Sequence, residues 1–191
     1  MRRMVLLAMA VAGAAGLAGA VRANPVKSLY TTVELKDCKQ LKRAGNVAAW
    51  LCEGLPGFPV YIAEDDLRHF VSIGPNAEKR RAAKQSLRPA NSIFEPGSQR
   101  STIEWRFDRK GEREIPYAVI IRFHTKNEHG RGDVLVVFKV MEYDTCQVAH
   151  IDALANDEPV ALARRIADQE SRNFDCSRAP RQEGAVGKSP M

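Results

Sequence analysis

Apolar residues fall on alternate positions twice in the second half of the chain, first at Tyr117, Val119, Ile121 and Phe123, then at Val134, Val136, Phe138 and Val140. A sustained period of two predicts a strand with one buried face, so each run reads as a strand with these side chains inward. Lys139 and Glu142 interrupt the second run. Between the runs, residues 125–132 are polar and punctuated by Gly130 and Gly132, which predicts an antiparallel hairpin. A third apolar run, Cys146–Ile151, follows. Asn156 then offers an N-cap, Asp157 and Glu158 supply first-turn acids, and Val160, Ala163, Ile166, Ala167 and Phe174 recur at helical spacing. The third strand covers roughly 20 Å and the helix roughly 25 Å, so an antiparallel return brings Cys176 beside Cys146.

The first half reads as shorter strands. Tyr30–Leu35 and Val47–Leu51 flank a polar segment centred on Gly45, which predicts a hairpin with Cys38 and Cys52 opposite each other. Leu55, Pro56 and Gly57 mark a turn, after which Phe58, Val60 and Ile62 alternate up to the acidic turn at Glu64, Asp65 and Asp66. Leu67, His69, Val71 and Ile73 form the next face, and Ile103, Trp105 and Phe107 another. The expected fold is α+β: a predominantly antiparallel sheet of about six to eight short strands, with the C-terminal helix packed on one face. Its bounds are read as residues 27–176, with residues 75–100 as a basic insertion carrying a short helix capped by Asn76, and residues 177–191 as a disordered tail.

Composition adds the compartment. Arg2 and Arg3 precede an Ala/Leu/Val/Gly run, and Val21-Arg22-Ala23 fits a cleavage site, so residues 1–23 read as a secretory signal peptide. Its removal takes away three arginines and no acid, lowering the formal charge from +6 to +3. No second apolar span follows, so the expected location is the periplasm, without an integral membrane span. Four cysteines in an exported chain imply two disulfides, and the local geometries favour Cys38–Cys52 and Cys146–Cys176.

Candidate chemistry is sparse. No Gly-x-Ser-x-Gly, phosphate loop or dinucleotide fingerprint occurs, and no cofactor or metal is expected. His124, Glu128 and His129 read as solvated loop residues, because their spacing matches no helical metal motif. Glu64, Asp65 and Asp66 lack the calcium-loop rhythm. Arg131-Gly132-Asp133 carries too little information for a function. The insertion concentrates Lys79, Arg80, Arg81, Lys84 and Arg88 against Glu78 alone. Charge runs commonly serve solubility; read functionally, this one is a patch for an anionic envelope component, or for another periplasmic protein.

The segments Trp50-Leu51-Cys52-Glu53-Gly54-Leu55-Pro56-Gly57 and Cys146-Gln147-Val148-Ala149-His150-Ile151-Asp152-Ala153, with the ending Phe174-Asp175-Cys176, resemble a family of uncharacterised exported proteins from alphaproteobacteria. The resemblance implies a periplasmic setting and use of those cysteines, and it brings no activity or site residue. The expected function is a non-catalytic periplasmic binding module. The alternative is a hydrolase or other enzyme whose dispersed residues, His69, His124, His150 and nearby acids, converge only in the fold.

Overall fold

The computed structural model describes residues 28–41, 47–110 and 113–191; the leader at 1–23 and the Gly45 turn lie outside the described residues. The strands are β1 (Ser28–Glu34), β2 (Lys39–Leu41), β3 (Ala48–Leu55), β4 (Phe58–Asp65), β5 (Arg68–Ile73), β6 (Ala90–Ser92), β7 (Arg100–Lys110), β8 (Arg113–Asn127), β9 (Gly130–Val140), β10 (Thr145–Asp152) and β11 (Arg181–Gln182), with one α-helix, α1 (Pro159–Gln169). The sheet therefore has more strands than the six to eight expected, and it is mixed: β6 joins β5 in parallel at Arg68 and Asn91, and β11 joins β10 in parallel. The extra strands β2, β6 and β11 are three, three and two residues long, too short for alternation to show in sequence.

Strand β8 is the hub. One edge pairs with β9 from Ala118 to Asn127, and the turn is only Glu128–His129, tighter than the eight-residue loop expected. The other edge pairs first with β7 and then, from His124 to Lys126, with β6. Through β6 the sheet continues to β5, β4, β3 and β2, and through β7 it reaches β1. Val60, Ile62, Val71 and Ile73 from the first leaf meet Ile103, Trp105, Ile121 and Phe138 from the second in one buried core.

A second core lies on the outer face of β8, β9 and β10, where Ile120, Val137 and Ile151 pack against Ala163, Ile166 and Ala167 of α1. Tyr117 belongs to this core and not to the face of Val119 and Ile121 as alternation predicts. The register slips between Arg106 and Phe107, and Pro116 stands opposite Phe107. Proline donates no ladder hydrogen bond and is tolerated in a strand at a bulge; the extra residue reverses the parity and turns Tyr117 toward the helix. There Asp168 accepts a hydrogen bond from the Tyr117 hydroxyl at 2.7 Å and two from Arg106 at 2.9 and 2.7 Å. Burial and the neighbouring Asp168 push the Tyr117 hydroxyl up to about 12. Lys139, the polar break in the β9 pattern, reaches under the helical segment to donate to Arg172 O at 2.9 Å and Phe174 O at 2.7 Å, the carbonyls that a helix end leaves without partners. Pro159 sets the helix start, as proline at the first helical position does. Asn156, expected as the cap, instead clasps Asp152 O and Ala185.

Both disulfides are formed as expected, with Cα separations of 4.3 Å for Cys38–Cys52 and 5.7 Å for Cys146–Cys176. The N-terminal hairpin differs in its partner. β3 pairs with β2, whose Lys39 faces Leu51 and so sets Cys38 opposite Cys52, while β1 pairs with β7.

Two polar segments depart from expectation. Residues 75–100 hold no α-helix; Ala77–Lys79 and Arg81–Lys84 are separate 3₁₀ turns broken at Arg80, and Asn76 sits left-handed at φ 52° without a capping bond. The insertion fills the space between β5 and β10, where no ladder forms. Ser86 Oγ donates to His69 O at 2.7 Å, Asn91 Oδ1 accepts from His69 N at 3.1 Å, and Gln85 accepts two bonds from Gln147. Residues 177–191 are docked and not a loose tail. The Asp152 carboxylate accepts backbone N–H bonds from Lys188 and Ser189, each at 2.8 Å, while Ser189 Oγ bridges the backbone of Asp133. Burial opposes ionisation of Asp152, yet the donors from Ser189, Lys188 and Leu154 outweigh it and hold the carboxyl below its ordinary range.

Candidate functional site

The five basic residues singled out in the insertion do not share one role. Lys79, Arg81 and Lys84 are exposed and rim a shallow depression of about 480 Å³ together with Tyr143 and Asp144. Arg88 is exposed but stands outside that depression. Arg80 turns inward and is only 5% exposed. Its guanidinium donates to Met141 O and Glu142 O at 2.8 Å, Pro75 O at 3.0 Å, Asp144 O at 3.1 Å and Thr145 Oγ1 at 3.3 Å. Gly74, at φ 105°, is what admits it, because a Cβ there would lie 2.7 Å from the guanidinium carbon. Burial pushes the Arg80 pKa down, opposed by Asp144. Five hydrogen bonds from one guanidinium fasten the basic turns to the β9–β10 connection.

The consequence is a ledge whose backbone is fixed while its side chains face solvent. Tyr143, 83% exposed, stands among the cations. Arg81 is partly answered by Asp144, whose Oδ2 is 3.7 Å from its Nε and whose Oδ1 accepts its backbone N–H at 2.9 Å. The sequence showed the charge of the ledge but neither the inward turn of Arg80 nor the part of Tyr143, since both depend on a connection some sixty residues away.

A second concavity lies at the other end of β5. It encloses about 590 Å³ between the β4–β5 hairpin and the end of the β8–β9 hairpin, and it is floored by β6 and residues 94–99. His69 and His124 both line it. His69 is buried; its Nδ1 accepts the Ile93 N–H at 3.2 Å, which puts its proton on Nε2, 3.8 Å from Glu64 Oε2. Burial pushes the His69 pKa down, with Glu64 opposing. His124 lies in β8 directly opposite Asp133, with Nδ1 2.6 Å from Oδ1. It is therefore a strand residue with a fixed partner, unlike the solvated Glu128 and His129 at the hairpin tip. His150 is elsewhere, with Nε2 2.8 Å from Gln147 Oε1.

Two of the four histidines, His69 and His124, thus line one cleft. Among the described residues neither imidazole bonds a serine, threonine or cysteine side chain, so the arrangement orients imidazoles without supplying an activated nucleophile. No three His, Cys, Asp or Glu side chains among the described residues are grouped to hold a metal ion. The two disulfides fit an exported protein, and among the described residues no helix is long and apolar enough to cross a membrane. Set against protein-family models, curated protein sequences and solved structures, the chain matches none of them.

Proposed function

We propose that this chain is a non-catalytic periplasmic binding module that engages an anionic component of the cell envelope through Lys79, Arg81, Lys84 and Arg88, with residues 1–23 serving as its cleaved leader. The observation that carries the reading is the anchoring of the ledge. A run of exposed charges that served solubility alone would need no fixed backbone, whereas here Arg80 is buried beneath the turns and holds them against the 141–145 connection. Fixed cations lose less freedom on binding than free ones do, so each contact keeps more of its attraction. Tyr143 adds an exposed ring beside the cations, suited to stacking or to lying at a headgroup interface.

The test is binding to vesicles with and without anionic phospholipid headgroups, at low and at physiological salt. Wild type is compared with a variant carrying Lys79→Gln, Arg81→Gln, Lys84→Gln and Arg88→Gln, with Arg80 left in place. Association with the anionic vesicles is expected to fall in the variant and to weaken with salt, because exposed charges are screened within about 8 Å at physiological ionic strength. Equal association by the two proteins returns the ledge to a solvated surface.

A further inference from the structure

The cleft at the far end of β5 carries features the ledge does not explain. Lys126 and Arg131 face each other in register across β8 and β9 and both line the cleft. Like charges directly opposed on one sheet face repel, and the acid two residues from Arg131, Asp133, is taken by His124 at 2.6 Å and Arg122 at 3.4 Å; Glu64 and Glu95 also line the cleft. No ion pair forms for Lys126 or Arg131 among the described residues.

The opposite wall is apolar and strained. The β4–β5 turn places Asp66 at φ 50° and Leu67 at φ 60°, the two-residue turn that ordinarily takes Asn-Gly or Asp-Gly. A leucine in the left-handed region is a poor local choice, and backbone strain of this kind concentrates at binding sites. Leu67 is also 71% exposed and lines the same cleft, with Phe94 and Pro96 toward the floor. Glu64 belongs to this wall too, but its carboxylate is directed toward His69.

We propose that this cleft binds a small organic anion with an apolar body, its carboxylate or phosphate held between Lys126 and Arg131 and its apolar part laid against Leu67 and Phe94. The anion relieves the repulsion of the opposed cations. The apolar part covers the leucine that the turn chemistry alone disfavours. The site is independent of the ledge, which lies at the other end of β5, and loss of either leaves the other testable.

Titration of the mature protein with octanoate, octyl phosphate and inorganic phosphate, followed by calorimetry and by amide chemical shifts, tests the assignment. Saturable binding of an octyl probe is expected, and its preference between octanoate and octyl phosphate reports whether the natural head is a carboxylate or a phosphate. The Lys126→Gln/Arg131→Gln variant is expected to bind about tenfold or more weakly, the loss of roughly one charge-assisted contact. Leu67→Gly should raise Tm yet weaken the octyl probes by about threefold or more, with inorganic phosphate unaffected. Absence of saturable binding by wild type, or unchanged affinity in the double variant, overturns the site. Inorganic phosphate binding as tightly as octyl phosphate overturns its apolar half.

Discussion

Acidification should destabilise this protein through His150, and the size of the effect follows from its surroundings. Gln85 fixes the side chain of Gln147 by accepting from its Nε2 at 3.2 Å, which leaves Gln147 Oε1 facing His150 Nε2 at 2.8 Å. An amide oxygen only accepts, so the imidazole keeps its proton on Nε2 and stays neutral. Burial pushes its pKa from 6.5 down to about 4. In the unfolded chain the ring takes up a proton near pH 6.5, whereas in the folded chain it resists until about pH 4. Between those values the unfolded state binds more protons, so stability present above pH 6.5 is lost as pH falls toward 4. At 1.36 kcal/mol per pKa unit the ceiling is about 3 kcal/mol, and because the ring is only partly buried about 1–2 kcal/mol is the working expectation. Urea denaturation of wild type and His150→Gln at pH 7 and pH 4.5 measures it. Glutamine can still donate to Gln147 Oε1, so the variant should fold and show a shallower acid limb, by about one proton in slope. His69, lowered by the same cause, keeps a remnant of that limb in the variant. An acid limb of equal depth in the two proteins would refute the reasoning.

The remaining predictions concern the two anchors that sequence did not reveal. Arg80→Gln should cost about 3 kcal/mol or more, read as a lower Tm, because it strands the carbonyls of the 141–145 connection; neutralising Lys79, Arg81 and Lys84 instead should change stability by less than about 0.5 kcal/mol. Asp152→Asn should cost about 2–3 kcal/mol, since an amide nitrogen set against the N–H groups of Lys188 and Ser189 turns attraction into repulsion. Hydrogen exchange should then show fast exchange confined to residues 181–191, and unchanged protection there would count against the role given to Asp152.

What could be read in the sequence was what is local. The β8 and β9 strands, the Cys38–Cys52 and Cys146–Cys176 bridges and the face of α1 all follow from periodicity or from separations of a few elements. Tyr117 was misplaced because Pro116 introduces a bulge that reverses the alternation from that point, and period counting has no way to register a slip. The C-terminal residues read as loose because they are polar and rich in Gly and Pro; their order comes from one buried carboxylate, Asp152, whose donors are more than thirty residues away. The candidate sites divide in the same way. The charge of the ledge was visible residue by residue, whereas the cleft needs register, because Lys126 and Arg131 become neighbours only once the turn is fixed at Glu128–His129.

The insertion joins these observations. Strand β5 lacks a ladder partner over most of its free edge, and an unpaired edge must be covered or it invites association. Here the cover is made of side chains: Ser86 and Asn91 take the backbone of His69, and Thr145 takes Ile73 O at 2.6 Å. Such a cover demands polar residues at fixed positions and no regular backbone, which is why the segment reads as a polar basic insertion yet has Ala82, Leu87 and Ile93 buried beneath it. Its first part forms the ledge over Arg80 and its last part, β6 with residues 94–99, floors the cleft. Both candidate surfaces are therefore built by a single segment that the sheet itself needs in order to close its edge, so substitutions that test binding belong at the outward residues Lys79, Arg81 and Lys84, and at Lys126 and Arg131 on the hairpin. Changes at Arg80, Gln85, Ser86 or Asn91 would instead report on the edge.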